Sequence, residues 1–177
     1  IDSSSPQVLV TNHVSWIDVL VLAAFVPGRY VFVAKKEVER IPVFGAAVRA
    51  CGHIYIDRGD RVRALASLDV ARKRLEEAAP TVIIFPEGTR SNTGELGSFK
   101  KGAFVLAIQT GVSVVPAAIF GSRQVMKRGS FLINSGIVRV HFGEPIQVGG
   151  YSMENRVRLT HRARQAVSEL QKRYETS

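Results

Sequence analysis

Thr81-Val82-Ile83-Ile84-Phe85-Pro86-Glu87-Gly88-Thr89-Arg90-Ser91 is the stretch that decides how this chain folds. Its first five residues form a mostly β-branched, apolar run, the composition of a strand buried on both faces. Pro86 ends that run because it has no amide to donate to a ladder. A polar, turn-forming segment follows. Gly88 permits a backbone turn with an amide close to a ligand, and Arg90 carries a planar fork suited to phosphate oxygens. Glu87 is out of place in a cationic loop unless it orients Arg90 or the loop itself. On the upstream side, Ala64, Leu68, Ala71, Leu75 and Ala78 are spaced for one face of a helix running from Arg61 to Ala79. On the downstream side, Ala103 to Thr110 reads as a short apolar helix that stops before Gly111.

The same alternation extends along the whole chain. Short β-branched runs occur at Gln7–Val10, Tyr30–Val33, Ile54–Ile56, Ser113–Ile119 and Ile137–Phe142. A second helical stripe comprises Leu159, Ala163, Ala166, Val167, Leu170 and Tyr174. No linker, repeat or low-complexity segment interrupts the pattern. This predicts one α/β domain over residues 1–177, with a largely parallel or mixed sheet of about six to seven strands flanked by helices. In such sheets ligands gather at the carboxyl ends of the strands. The residues that follow the first four runs are Asn12-His13, Lys35-Lys36, Asp57-Arg58 and Pro86 to Arg90. Parallel strands would bring these groups to one edge and make it a cationic site.

Composition narrows the partners. The chain has 177 residues, 46% hydrophobic and 22% charged, which suffices for a core and excludes disorder. Its 24 Lys and Arg against 15 Asp and Glu give a net charge of +9. That balance predicts an anionic partner: nucleic acid, a membrane surface or a phosphorylated substrate. The single cysteine, Cys51, excludes an internal disulfide and any multi-thiolate metal site. The longest unbroken apolar run, Val19 to Val26, falls far short of the roughly 18 residues that span a bilayer. Because the chain opens at Ile1 rather than Met, it is expected to be a fragment or a processed product.

Several chemistries find no support in the motifs. There is no His-Glu-x-x-His, and His13, His53, His141 and His161 lack close metal-ligand spacing, so no metal site is expected. No Gly-x-Ser-x-Gly elbow marks a serine hydrolase. Gly97 to Gly102 imitates the start of a P-loop, but Ala103 stands where the phosphate-binding lysine belongs. Asn12-His13-Val14-Ser15-Trp16-Ile17-Asp18 remains. Five residues along a continuous helix separate side chains by about 140°, so His13 and Asp18 would not meet there. They meet if His13 lies in the loop before a helix and Asp18 in its first turns. Asp18 would then fix one ring nitrogen and leave the other as a base. The alternative is a surface histidine beside an aspartate placed by the helix dipole. Taken alone, Arg58 reads as a surface arginine paired with Asp57 or Asp60, and Lys35 as an ordinary surface lysine. With a base and no evident nucleophile, the attacking group is expected to be a hydroxyl of the substrate.

Taken together, these blocks resemble the glycerolipid acyltransferases typified by lysophosphatidic acid acyltransferase. Asn12-His13 through Asp18 is similar to the family's N-H-x-x-x-x-D block. Gly52 through Arg58 resembles G-x-x-F-I-x-R with Tyr55 in place of Phe. Phe85 through Ser91 matches F-P-E-G-T-R-S without departure. Val114 to Ile119 resembles the V-P-V/I block, with the smaller Ala117 at a position that is usually β-branched. Gly143-Glu144-Pro145-Ile146 resembles a common downstream element.

The resemblance implies transfer of a fatty acyl chain from acyl-CoA or acyl-carrier protein to the sn-2 hydroxyl of lysophosphatidic acid, giving phosphatidic acid, without an acyl-enzyme. By analogy His13 is the base and Asp18 its orienter. Lys35, Arg58, Glu87, Gly88, Thr89 and Arg90 form the substrate-binding set, and no cofactor is needed beyond the acyl donor. It further implies a membrane-associated protein on the cytoplasmic face, attracted to anionic lipids, whose N-terminal anchoring segment is expected to be absent from this chain. Arg156, Arg158, Arg162, Arg164, Lys172 and Arg173 on the terminal helix either meet lipid headgroups or form a solvated face. Two rivals remain: the same chemistry on glycerol-3-phosphate or another lysolipid, and a basic lipid- or nucleic-acid-binding domain without turnover. Against nucleic acid, no recognition module or base-stacking motif is present.

Overall fold

A computed structural model describes residues 1–35, 54–56, 61–78, 81–130 and 132–174. In chain order the elements are β1 (Gln7–Thr11), α1 (Ile17–Phe25), β2 (Tyr30–Lys35), β3 (Ile54–Ile56), α2 (Arg61–Ala78), β4 (Thr81–Ile84), α3 (Gly102–Thr110), β5 (Ser113–Phe120), α4 (Ser122–Val125), β6 (Arg139–Phe142) and α5 (Arg156–Tyr174). The strands form one six-stranded sheet in the order β3-β2-β4-β1-β5-β6. The first five strands run parallel and only β6 pairs antiparallel, against β5. The expected α/β architecture is therefore present, with β1 and β4 at its centre.

Alternation along the central strands builds two cores, one on each face of the sheet. From β1, Val8 and Val10 enter one cluster and Leu9 the other. From β4, Val82 and Ile84 separate in the same way from Ile83 and Phe85. The first core is closed by Ala71 and Leu75 of α2, Phe104 and Leu106 of α3, and Leu159, Ala163 and Val167 of α5. The second is closed by Leu22 of α1 and Val26 just beyond it. Every residue of β1 and β4 is buried, which is why both read as apolar runs rather than alternating ones.

Some boundaries differ from the sequence expectation. β6 begins at Arg139 rather than Ile137, and the Ile137 side chain is 69% exposed. Its carbonyl instead packs on the turn after β5, where a Cβ at Gly121 would lie 2.0 Å from the Ile137 oxygen. Gly121 also has φ +79°, so only glycine fits that turn without strain. The single turn of α4 had no sequence signal, since four residues are too few to establish a period. Among the described residues, no helix is long and apolar enough to cross a membrane.

Candidate active site

Two loops leave the carboxyl ends of adjacent parallel strands, β1 and β4, and pack against each other. Asn12 begins the first. The β1–β5 ladder ends at the pair Thr11–Ala117, and the Asn12 side chain extends it. Its Oδ1 accepts from the Ile119 amide at 2.8 Å and its Nδ2 donates to the Ile119 carbonyl at 3.0 Å. A side chain thus takes over the pairing that backbone would otherwise make, and the chain is released from the sheet at His13.

Asp18 organises the turn that follows. It lies in the first turn of α1, fully buried, and its Oδ2 reaches back to accept from the amides of Val14 at 2.7 Å and Ser15 at 2.8 Å. The same oxygen lies 2.8 Å from Nδ1 of His13. A carboxylate can only accept, so Nδ1 carries the proton and Nε2 is left with a lone pair. The His13 ring stacks on Phe85 with centroids 3.9 Å apart, and the side chain is 13% exposed. The loop geometry that lets His13 and Asp18 meet is the one adopted.

The second loop grips the first through its backbone. His13 N donates to Glu87 Oε1 at 3.0 Å, and Ser91 N donates to the His13 carbonyl at 2.8 Å. Glu87 Oε2 accepts from Gly97 N at 2.8 Å. Both Glu87 oxygens therefore bond backbone amides, which ties Glu87 to its own loop and to the backbone of His13. Burial raises its carboxyl pKa, and the amides of Gly97 and His13 pull it back. A Cβ at Gly97 would sit 2.9 Å from Glu87 Oε2, so a larger residue there would have to shift that carboxylate.

Gly88 turns the loop with φ +79°, and its amide donates to the Phe85 carbonyl at 3.0 Å. That amide closes the turn and is occupied, whereas the Thr89 amide has no hydrogen-bond partner among the described residues. Arg90 places its guanidinium over the Trp16 ring, 4.7 Å from the centroid. Its Nη1 is buried without a hydrogen bond, as is Asp18 Oδ1. Burial lowers the Arg90 pKa, the nearby Arg128 charge lowers it further, and Asp18 opposes both.

Of the residues expected in the site, His13, Asp18, Glu87, Gly88, Thr89 and Arg90 converge here. Lys35 closes β2 at the same edge, since Val33 pairs with Ile84 of β4. Arg58 lies outside the described residues. Sequence reasoning missed Gly97 and Trp16, which lay within stretches read for other motifs. Arg164, expected on a lipid-facing or solvated face of the terminal helix, instead donates from Nε and Nη2 to the carbonyls of Gly97 and Leu96 at 2.9 and 2.8 Å. No motif could have singled out this role, because its partner is backbone distant in sequence.

At the carboxyl edge of a mostly parallel sheet, a histidine hydrogen-bonded to a buried aspartate thus lies beside a cationic loop. The chain belongs to the acyltransferase family, whose model, described as Acyltransferase, matches residues 1–120. It is similar to the chloroplastic 1-acyl-sn-glycerol-3-phosphate acyltransferase LPAT1 of Arabidopsis thaliana, 39% identical over 81% of this chain and 40% of the relative. The human 1-acyl-sn-glycerol-3-phosphate acyltransferase alpha is 32% identical over 93% of this chain and 58% of the relative. The crystal structure of the 1-acyl-sn-glycerophosphate (LPA) acyltransferase PlsC from Thermotoga maritima superposes with a TM-score of 0.78 at 31% identity. That match covers 98% of this chain and 70% of the PlsC chain. The chain spans about half the length of the curated relatives it matches.

Proposed function

We propose that this chain is the catalytic domain of a 1-acylglycerol-3-phosphate acyltransferase. It moves a fatty acyl group from the thioester of acyl-CoA or acyl-carrier protein to the sn-2 hydroxyl of lysophosphatidic acid. The observation that carries this reading is the 2.8 Å contact between His13 Nδ1 and Asp18 Oδ2, which presents Nε2 as a proton acceptor at the sheet edge. The names of the relatives supply the substrate class.

The chemistry follows from these groups. Nε2 takes the proton of the acceptor hydroxyl as its oxygen attacks the thioester carbon, a role typically worth about 10²–10⁴-fold. The imidazolium that forms is stabilised by Asp18, whose charge is buried within hydrogen-bond distance. Negative charge on the carbonyl oxygen needs a fixed donor, and the Thr89 amide is the candidate, since the Gly88 amide is engaged in its turn. The tetrahedral carbon then expels a thiolate, a leaving group with a conjugate-acid pKa of about 8.5. His13 returns its proton to that sulfur. Arg90, with Lys35 and Arg58, holds the acceptor phosphate. No side chain needs to carry the acyl group.

We infer a membrane surface as the place of work, on the side from which the acyl donor arrives. Leu132, Ile133 and Ile137 are each more than 60% exposed, and they share the α4–β6 connection with Lys127 and Arg128. Apolar side chains flanked by cations suit an anionic bilayer.

The test is release of free thiol from a long-chain acyl-CoA in mixed micelles, with and without lysophosphatidic acid, for wild type and His13→Ala. The expected result is acceptor-dependent release that the variant loses. Release of equal size without acceptor would make the protein a thioesterase. Equal rates with glycerol-3-phosphate and lysophosphatidic acid would overturn the choice of acceptor.

A further inference from the structure

Arg128 lies beyond the matched residues 1–120, on the connection between α4 and β6. It nonetheless reaches the loop after β4. Its Nη1 donates to the Arg90 carbonyl and to Asn92 Oδ1, both at 2.6 Å. Both acceptors are neutral. Neither Arg90 nor Arg128 forms an ion pair with a carboxylate among the described residues. The protein thus brings two guanidinium groups to one short loop, with the Asp18 charge acting on Arg90 but no carboxylate within ion-pair distance of either group among the described residues. Burial lowers the Arg90 pKa most, the Arg128 charge lowers it further and Asp18 opposes both. Beside them opens a cavity of about 390 Å³ lined by Thr89, Arg90, Ser91, Asn92 and Arg128, and also by Glu87, whose two oxygens accept from backbone amides, and the exposed Glu95. No Asp or Glu occurs in the chain between Glu95 and Glu144, so the connection that carries Arg128 is uniformly cationic.

A pair of like charges held together by neutral groups gains most from an anion carrying two negative charges. A phosphomonoester approaches that charge at neutral pH, its second pKa being about 6. A phosphodiester carries one. We propose that Arg128 is the second guanidinium of the acceptor's phosphate site and sets the preference for phosphomonoester over phosphodiester acceptors. The inference rests on the acyl-acceptor reading given above. Arg90 grips the phosphate from the Trp16 side, and Arg128, pinned through Nη1, offers Nε and Nη2 from the other. The α4–β6 connection therefore determines which headgroup enters.

Trp16 is the only tryptophan in the chain and lies under Arg90, so it reports on the site without any turnover. Its fluorescence should titrate with glycerol 3-phosphate at lower concentration than with glycerophosphocholine, at constant ionic strength. Arg128→Gln keeps an amide donor for the Arg90 carbonyl but removes the charge. It should weaken the monoester response about ten- to a hundredfold and shift the diester response much less. Arg128→Lys keeps the charge without the fork and should fall between; it carries the test if the Gln variant does not fold. In acyl transfer, KM for lysophosphatidic acid should rise with the same selectivity over lysophosphatidylcholine. A variant that affects both acceptors equally, or a wild-type Trp16 signal indifferent to the monoester, overturns the proposal. Monoester-selective fluorescence in a wild type that transfers no acyl group would uphold the anion site and refute the acyltransferase reading.

Discussion

The two loops at the carboxyl edge of the sheet solve opposite problems. In the loop after β1, a buried negative charge meets donors made by the same turn. Asp18 Oδ2 collects two backbone amides and His13 Nδ1 within a span of six residues. In the loop after β4, positive charge from Arg90 and Arg128 gathers against neutral hydrogen-bond acceptors and an aromatic face, with no carboxylate at ion-pair distance among the described residues. The first loop holds one ring in one tautomer, and of the two Asp18 oxygens only Oδ1 is left without a hydrogen bond. The second is electrostatically incomplete and gains from an incoming anion. Glu87 and Ser91 join the two by gripping the backbone of His13. The contrast separates a preorganised base from a site built for a charged ligand, and each side can be broken alone.

The largest effect is expected from Asp18→Asn. An asparagine oxygen can still accept from the Val14 and Ser15 amides, so the turn should persist. The same oxygen faces His13 Nδ1 in wild type, so it would still accept the Nδ1 proton but would carry no charge to stabilise the imidazolium. The turnover number should fall by about 10²–10⁴-fold, with little change in KM for lysophosphatidic acid. Histidine ring NMR should report the proton still on Nδ1. Loss of less than about threefold, with that tautomer kept, would mean that the Asp18 charge does not support His13 as the base.

Gly97→Ala tests the joint between the loops. Its Cβ would approach Glu87 Oε2 to 2.9 Å, and the carboxylate cannot retreat without releasing His13 N. Strain of this kind costs about 1–3 kcal/mol, and displacing His13 should lower the turnover number by roughly tenfold or more. A thermal melt and a rate measured on the same preparation check both. An unchanged melt and rate would show that Glu87 has another way to satisfy Gly97 N and that the loops are less tightly joined than their contacts imply.

How much of this was legible in the sequence follows the range of the forces involved. β1 and β4 read clearly because burial on both faces forces an apolar run whatever the topology. The His13–Asp18 pair was legible as a possibility, since spacing alone left it open whether the two lay on one helix or in a loop leading into one. What decides it is the pair of Val14 and Ser15 amides converging on Asp18, a backbone event that side-chain spacing does not encode. The roles of Arg164 and Arg128 were invisible for the same reason: each acts on carbonyls tens of residues away. The role of Asn12 was hidden inside the motif that names it, because its partner is the backbone of β5.

The smallest expected effect is the most specific to Glu87. Burial raises its carboxyl above the ordinary 4.5, against the pull of two amides and of the His13 and Arg164 charges. A folded pKa above the unfolded one means that the folded protein keeps its proton to higher pH. The stability this contributes is fully present below the ordinary value and is lost as pH rises through the folded pKa. Glu87→Gln cannot titrate, and its amide group presents one donor where two acceptors were used, so it should melt below wild type throughout. The gap should narrow as pH rises from the ordinary carboxyl value through the folded pKa, then stay constant. Paired melts in one buffer series measure it. A gap that widens with pH instead would mean the folded pKa is lowered: the amides of His13 and Gly97 would then outweigh burial, and ionised Glu87 would hold the two loops together more strongly than its burial opposes.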